Sequence, residues 1–372
     1  MTEGIGARVR DLIHQMYPGR AEKDIAELVG MTPDAFSRAL NGKRGFAAVE
    51  VARLAELLGA SMYWLATGER DPHEPVVVAR HEFDRRTRSR SADWDAMKLV
   101  EDDVHLAYRQ VNLPAWDQRV VPADPEEARA MLGPGAVRDL ATRLEDVFGI
   151  DVIKIGGVPT ALTMILAGRP VIVLGETGNW FYLNWSLAHE FAHLALGHVV
   201  ADSHAPVDAR LVDQQEADAN AFAAEFLLPR TELLAIDWQK ETARSVAARL
   251  WEWGVSTDAL RTRLAALKCV LPAELSAALS LKTQTLLRRH WDGNTADDLI
   301  TVRMEEAAAR KFPLALRVAH IEAIAAGRVP KGTLAWMLDI DEADLEVDEP
   351  EAEYGDSIDV LAADLGLEVS GR

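Results

Sequence analysis

Apolar residues recur at three- and four-residue spacing from the start of the chain: Val9, Ile13 and Met16; Ile25, Leu28 and Val29; Phe36 and Leu40; Val49, Ala52 and Leu57. That period predicts five short amphipathic helices over residues 6–67. Asp71-Pro72 and Glu74-Pro75, followed by Arg80, Arg85, Arg86, Arg88 and Arg90, predict a linker, because Pro and unshielded like charge both resist regular packing. Helices are expected over residues 92–111 and 136–148, the second closed by Gly149, with a Pro-rich loop between them. From residue 150 the pattern changes. Asp151–Ile155, Leu162–Leu166 and Val171–Leu174 are short apolar runs bounded by Gly and Pro, which is how strands read. They precede a helix expected over Trp185–Leu196, with Ser186 as N-cap and Gly197 as stop. After Pro229 helical periodicity returns.

The expected fold is mainly α around an α+β core. It divides into a five-helix N-terminal domain (1–68), an Arg-rich linker (69–90), a small sheet with helices packed on it (91–235), a helical C-terminal region (236–331) and an acidic tail (332–372).

Composition and charge narrow the function classes. A chain of 372 residues exceeds one ordinary core, and 49% hydrophobic residues supply packed interiors rather than disorder. No apolar run reaches membrane-spanning length, and Met1–Arg10 lacks the charged-then-apolar order of a signal peptide, so a cytoplasmic protein without a membrane partner is expected. Cys269 is the only cysteine, which excludes an intrachain disulfide and a thiolate zinc cage. The net charge of −19 is concentrated at one end: residues 332–370 hold thirteen carboxylates and no Lys or Arg. Such a tail is either solubilising or an internal competitor for the Arg-rich linker and a DNA surface. Residues 1–68 balance eight acids against eight bases, so a basic footprint is missing but nucleic acid is not locally excluded.

The chemistry concentrates in His189-Glu190-Phe191-Ala192-His193. Four residues are about one helical turn, so both imidazoles share a face and can share one ion. Glu190 lies beside that ion without entering its first shell, where a carboxylate can take a proton from an activated water. Leu187, Phe191 and Leu194 turn the opposite face inward. Zinc needs a third protein ligand. Three and six residues after His193 stand Leu196 and Val199, so the metzincin pattern is absent. His198 at the helix end and His204 in a polar loop read as solvated. Glu216, one turn before Asn220 on a helix rich in small residues (Ala219, Ala223, Ala224), is the candidate third ligand; the alternative is an acid placed at a helix N-terminus by its dipole. Tyr182 is a candidate oxyanion donor or a groove-wall tyrosine.

Two segments carry a resemblance. Leu187-Ala188-His189-Glu190-Phe191-Ala192-His193 and Glu216-x-x-Ala219-Asn220-x-Phe222-Ala223-Ala224-Glu225-x-Leu227-Leu228-Pro229 resemble the ImmA/IrrE family of metallopeptidases, in the form fused to an N-terminal Xre-type helix-turn-helix. The resemblance implies that His189, His193 and Glu216 bind Zn2+ and that Glu190 is the catalytic base. It further implies a protein substrate, a transcriptional repressor often itself of helix-turn-helix type, cleaved under stress or mobile-element induction. Glu225 matches the pattern and reads as structural. The aromatic run Trp180-Phe181-Tyr182-Leu183-Asn184-Trp185 departs from it and leaves the substrate groove unassigned.

Ala26, Gly30 and Phe36 have the spacing of a helix-turn-helix, and Thr32-Pro33-Asp34 opens its second helix with an N-cap and a proline at the first position. Ser37, Arg38 and Asn41 would face outward, with Lys43 and Arg44 just beyond, residue types able to read bases and grip phosphates. Trp64-Leu65-Ala66-Thr67-Gly68-Glu69 adds to the Xre-type resemblance. The alternative is a module for protein contact or a homodimer. The expected function is a zinc endopeptidase with a DNA-binding domain; the alternative is a DNA-binding regulator or antitoxin whose metal domain is a sensor or binding surface.

Overall fold

A computed structural model describes residues 4–69, 76–80, 83–84, 89–90, 94–114, 119–158, 161–166, 168–198, 209–293 and 298–350. His204, the Arg85–Arg88 stretch and the carboxylates beyond Pro350 lie outside the described residues.

Five helices come first: α1 (Ile5–Met16), α2 (Glu22–Leu28), α3 (Pro33–Leu40), α4 (Ala48–Leu58) and α5 (Met62–Thr67). Val9, Ile25, Phe36, Leu54 and Leu65 are fully buried at their common centre. Gly30, at φ +71°, takes the left-handed turn between α2 and α3 that glycine adopts without strain. A Cβ on Gly6 would stand 2.2 Å from the Leu40 carbonyl oxygen, so α1 crosses α3 where only glycine fits. The Thr32 hydroxyl caps α3 by accepting from the Ala35 amide at 3.3 Å.

The remainder runs β1 (Val76–Arg80), β2 (Phe83–Asp84), β3 (Ser89–Arg90), α6 (Trp94–Arg109), α7 (Pro125–Leu132), a 3-10 turn (Ala136–Asp139), α8 (Leu140–Phe148), β4 (Asp151–Ile155), β5 (Leu162–Leu166) and β6 (Arg169–Gly175). Then follow α9 (Trp180–Ala195), α10 (Ala209–Leu227), α11 (Arg230–Leu234), α12 (Ala243–Trp253), α13 (Thr257–Ala266), α14 (Ala273–Leu279), α15 (Thr283–His290), α16 (Leu299–Ala308), α17 (Leu314–Ala325) and α18 (Gly332–Leu338). Four strands form one sheet in the order β1-β5-β6-β4, with β5 antiparallel to both neighbours and β4 parallel to β6.

Both faces of this sheet are covered, and strand alternation assigns them. Val152, Ile172 and Leu174 join the core that holds α8, α9, α10, α12 and α16. Ile153, Ile155, Leu162, Met164, Val171 and Val173 join a second core made by α6, α17, α18 and Leu345. Tyr108 of α6 donates to Asp151 at 2.7 Å, and Arg169 pairs with the same carboxylate at 3.2 Å, fixing α6 to the sheet. Burial and the Asp151 charge push the Tyr108 hydroxyl well above its ordinary pKa, so it stays a donor.

Three expected boundaries are corrected here. The linker contains β1, for Val76-Val77-Val78 is a β-branched run beside an open edge of β5. The tail does not begin at 332, because α18 buries Leu334, Ala335 and Met337 in the second core and Leu345 follows them. Residues 236–331 are not a separate region either; α12 and α16 share a core with α9, and α17 covers the sheet.

Removing the chain after Lys331 deletes Leu334, Met337 and Leu345, each worth roughly 1.5–3 kcal/mol when buried. That loss is comparable with a whole domain's stability of about 5–15 kcal/mol. Truncation there is expected to abolish the cooperative thermal transition in circular dichroism, whereas truncation after Pro350 leaves its midpoint in place. A cooperative melt with unchanged midpoint after truncation at Lys331 would contradict the second core.

His320 of α17 is fully buried, with Nε2 2.9 Å from the Ala107 carbonyl, and burial lowers its pKa below the ordinary 6.5. The folded state therefore binds its proton less readily than the unfolded chain. Stability is level above pH 6.5 and falls as pH drops below it, by at most about 1.4 kcal/mol per pH unit for one group. His320→Gln keeps an amide donor and removes this slope. Urea midpoints at pH 7 and 5 test it, and equal slopes in the two proteins would refute the assignment.

Candidate metal centre

The helix that carries the histidines starts earlier than its composition suggests. Asn179, not Ser186, is the N-cap: its side-chain oxygen accepts from the Tyr182 amide at 3.2 Å. The aromatic run forms the first turns of α9, with Trp180, Phe181 and Leu183 buried. Phe191, also fully buried, packs on Phe148 of α8 at 5.4 Å and on Phe222 and Phe226 of α10 at 5.8 and 5.6 Å between ring centroids. Its burial contributes roughly 1.5–3 kcal/mol and clamps three helices around the site. Ala219 and Ala223, both fully buried, let α10 lie close against α9.

The convergence of three side chains follows from that packing. His189 Nε2 and His193 Nε2 stand 3.0 Å apart. The Glu216 carboxylate oxygens lie 3.3 Å from the first and 3.5 Å from the second. One donor atom from each residue falls within 4.8 Å of the others. Tetrahedral ligands 2.0–2.1 Å from zinc have donor atoms roughly 3.3 Å apart, so the spacing fits such an ion and its borderline-soft N, N, O preference. The His-His-Glu cluster can hold a metal. Glu216 sits in the middle of α10, since that helix begins at Ala209, and a role as an N-terminal acid does not fit this position.

Glu190 is fully buried. Thr163 of β5 donates its hydroxyl to Glu190 Oε2 at 2.6 Å, while the buried Oε1 has no hydrogen-bond partner among the described residues. Thr163 was not among the expected site residues, although a threonine within the apolar run Leu162–Leu166 is the kind of signal that marks a buried polar role. Its register opposite Ile172 turns it toward α9.

His198 corrects a second expectation. It is half-buried rather than solvated, and its Nδ1 lies 3.2 Å from His193 Nδ1. Gly197, at φ +66°, reverses the chain at the helix end, and the His198 amide bonds to the His193 carbonyl at 2.9 Å. Burial first, and the neighbouring His193 second, lower the His198 pKa and favour its neutral form. A neutral His198 can accept from His193 Nδ1–H, which leaves the His193 Nε2 lone pair toward the cluster. Glu225 is structural: it accepts from the Arg230 amide at 2.7 Å and pairs with Arg263. Tyr182, half exposed, lines a shallow cleft with Val158, Ala161, Glu176, Thr177 and Ser186.

In the N-terminal helices, Arg38 and Lys43 are exposed. Ser37 is half-buried, and Asn41 donates to the Ser37 carbonyl at 2.8 Å while accepting from Arg10 at 3.2 Å. Arg44 does not stand free for phosphate, as expected from the sequence. It binds the Glu50 carboxylate at 2.5 Å and the Ala35 carbonyl at 3.2 Å, joining α3 to α4, and it lowers the Glu50 pKa.

Residues 145–265 match the Peptidase_M78 family model, the IrrE N-terminal-like domain. The matched span runs from within α8 into α13, so it holds β4–β6 and every residue of the His-His-Glu cluster. It supports the ImmA/IrrE family and a metallopeptidase-type function, and α1–α5 lie outside it. No curated protein matches the chain, and no solved structure does.

Glu216→Ala is expected to leave the purified protein without bound zinc. His198→Ala should retain zinc with affinity reduced roughly 10–100-fold, as for other residues that orient a ligand. Metal analysis and competition with a chromophoric chelator measure both. Full occupancy in Glu216→Ala, with His198→Ala empty, would reverse the two roles.

Proposed function

We propose that the chain is a zinc-dependent endopeptidase with a DNA-binding N-terminal domain. Glu190 is the observation that carries the first half: a base-capable carboxylate buried one residue from a cluster of two imidazoles and a second carboxylate. A purely structural metal site has no need of it. Zinc held by His189, His193 and Glu216 would supply a Lewis acid that makes water acidic near neutral pH. Glu190 would take a proton from water at the site and return it to the leaving amine of the cleaved peptide. Thr163 holds one carboxylate oxygen, so the other is the one that exchanges the proton. His198 keeps His193 in the tautomer that presents Nε2. The match over residues 145–265 supports this chemistry, and the resemblance in sequence points to a helix-turn-helix repressor as the protein cut.

For DNA, α3 is the helix we place in the major groove, with Arg38 and Lys43 as contacts and Ser37 and Asn41 at its rim. Arg44 acts by bracing α3 against α4.

Glu190→Gln keeps size and most hydrogen bonding while removing the base. It is expected to retain zinc and fold, lose repressor cleavage by at least about a hundredfold, and leave DNA binding intact. Arg38→Ala with Lys43→Ala should weaken DNA binding and spare cleavage. A cleavage assay on co-expressed helix-turn-helix repressors, run beside a mobility shift, separates the two. If Glu190→Gln restores every phenotype of a deletion strain, the catalytic reading fails.

A further inference from the structure

β5 is the strand that reaches the site, through Thr163 and Glu190. One edge of β5 pairs with β6. The other is the edge on which an extended peptide could add a strand, since its main-chain donors and acceptors are aligned for pairing. That edge is occupied by the chain itself. β1 runs antiparallel along it, with Val76 opposite Ile165, Val77 opposite Met164, Ala79 opposite Thr163 and Arg80 opposite Leu162. The register shifts between Val77 and Ala79, so the ladder is short and interrupted. β1 also contacts α9. The far side of the sheet offers no equivalent place, because Lys154 of β4 exchanges both main-chain hydrogen bonds with Lys311 at 2.9 Å.

We infer that β1 is an internal occupant of the peptide-binding edge of the site, and that a protein substrate must displace Val76–Arg80 from β5 before its scissile bond can lie beside Glu190. The nature of the displacing ligand rests on the peptidase reading above. The ligand this edge takes is an extended, main-chain-recognised stretch of about five residues, matching the strand it replaces. Unfolded or loop segments qualify and helices do not. A tethered strand competes at high effective concentration, so occupancy by β1 lowers apparent affinity by the fraction of time the edge is free. β1 follows α1–α5 in the chain order and precedes the rest of the sheet.

The test uses the full zinc-loaded chain with fluorescent denatured casein as probe, in a Cys269→Ser background. Val77 and Ala79 lie opposite the adjacent residues Met164 and Thr163, which alternate between bonded and non-bonded pairs, so Val77→Pro with Ala79→Pro removes a ladder donor from β1 whichever of the two pairs is bonded. If β1 frees the edge about a tenth of the time, this variant should cut casein about tenfold faster, and its Glu190→Gln form should bind casein about tenfold tighter. Bound casein should also slow hydrogen exchange of the amides of residues 162–166. Should the proline variant fail to fold, Val76→Cys with Ile165→Cys places two thiols at directly opposed positions. Oxidation should then lower casein binding, and dithiothreitol should restore it. Unchanged casein binding when the β1 amides exchange freely, or undiminished binding by the oxidised cysteine pair, overturns the inference. Tighter casein binding with protected 162–166 amides but no cleavage upholds it and removes the peptidase reading instead.

Discussion

Glu190 is a carboxylate with no exposed surface, and an ionised carboxylate costs several kcal/mol to bury unless hydrogen bonds and nearby positive charge offset the loss of water. The part of the fold around the His-His-Glu cluster answers that constraint. β5 must bring a hydroxyl to one oxygen, which sets its register against β6 so that Thr163 faces α9. α10 must lie within reach of the same helix face, which its buried alanines and the Phe148–Phe191–Phe222–Phe226 cluster enforce. The three candidate ligands converge because this packing leaves them nowhere else to point.

What could be read from the sequence was local. The limits of β4 and β5 coincide with those of the apolar runs Asp151–Ile155 and Leu162–Leu166, because glycine punctuates both and β-branched residues fill them. His189 and His193 were legible because helical spacing alone puts them on one face. What escaped depended on partners distant in sequence. Thr163 gains its role from a residue 27 positions away, and α18 gains its place from a sheet formed well before it. Arg44 looked free because its partner Glu50 lies on the next helix. His198 looked solvated because nothing in composition announces that Gly197 folds the chain back on His193. β1 was hidden by the prolines and arginines around three valines.

The aromatic prelude to the motif has a structural explanation. Trp180 meets Trp251 of α12 edge-on at 5.7 Å, and Trp251 stacks on Trp291 at 3.9 Å. Arg303 of α16 lies over Trp180 and Trp251 at 5.2 and 4.7 Å and donates to the Trp251 carbonyl at 2.8 Å. Burial pulls the Arg303 pKa down to about 10, still charged at neutral pH, and the ring faces take the place of water around it. These rings anchor the first turns of α9 to the helices that follow the site, so the run that breaks the family pattern supports the helix from behind, while Tyr182 and Leu183 line the cleft.

The two-faced sheet also imposes an order of events during synthesis. β4–β6 are complete at Gly175, but α17, α18 and Leu345, which cover their second face, lie up to 170 residues further on. At about 5–20 residues per second the ribosome needs roughly 10–35 s to deliver them. Through that interval Ile153, Ile155, Val171 and Val173 have only α6 against them, and the sheet carrying Thr163 is incompletely supported. The nascent protein is thereby held unfinished until almost all of its chain has emerged.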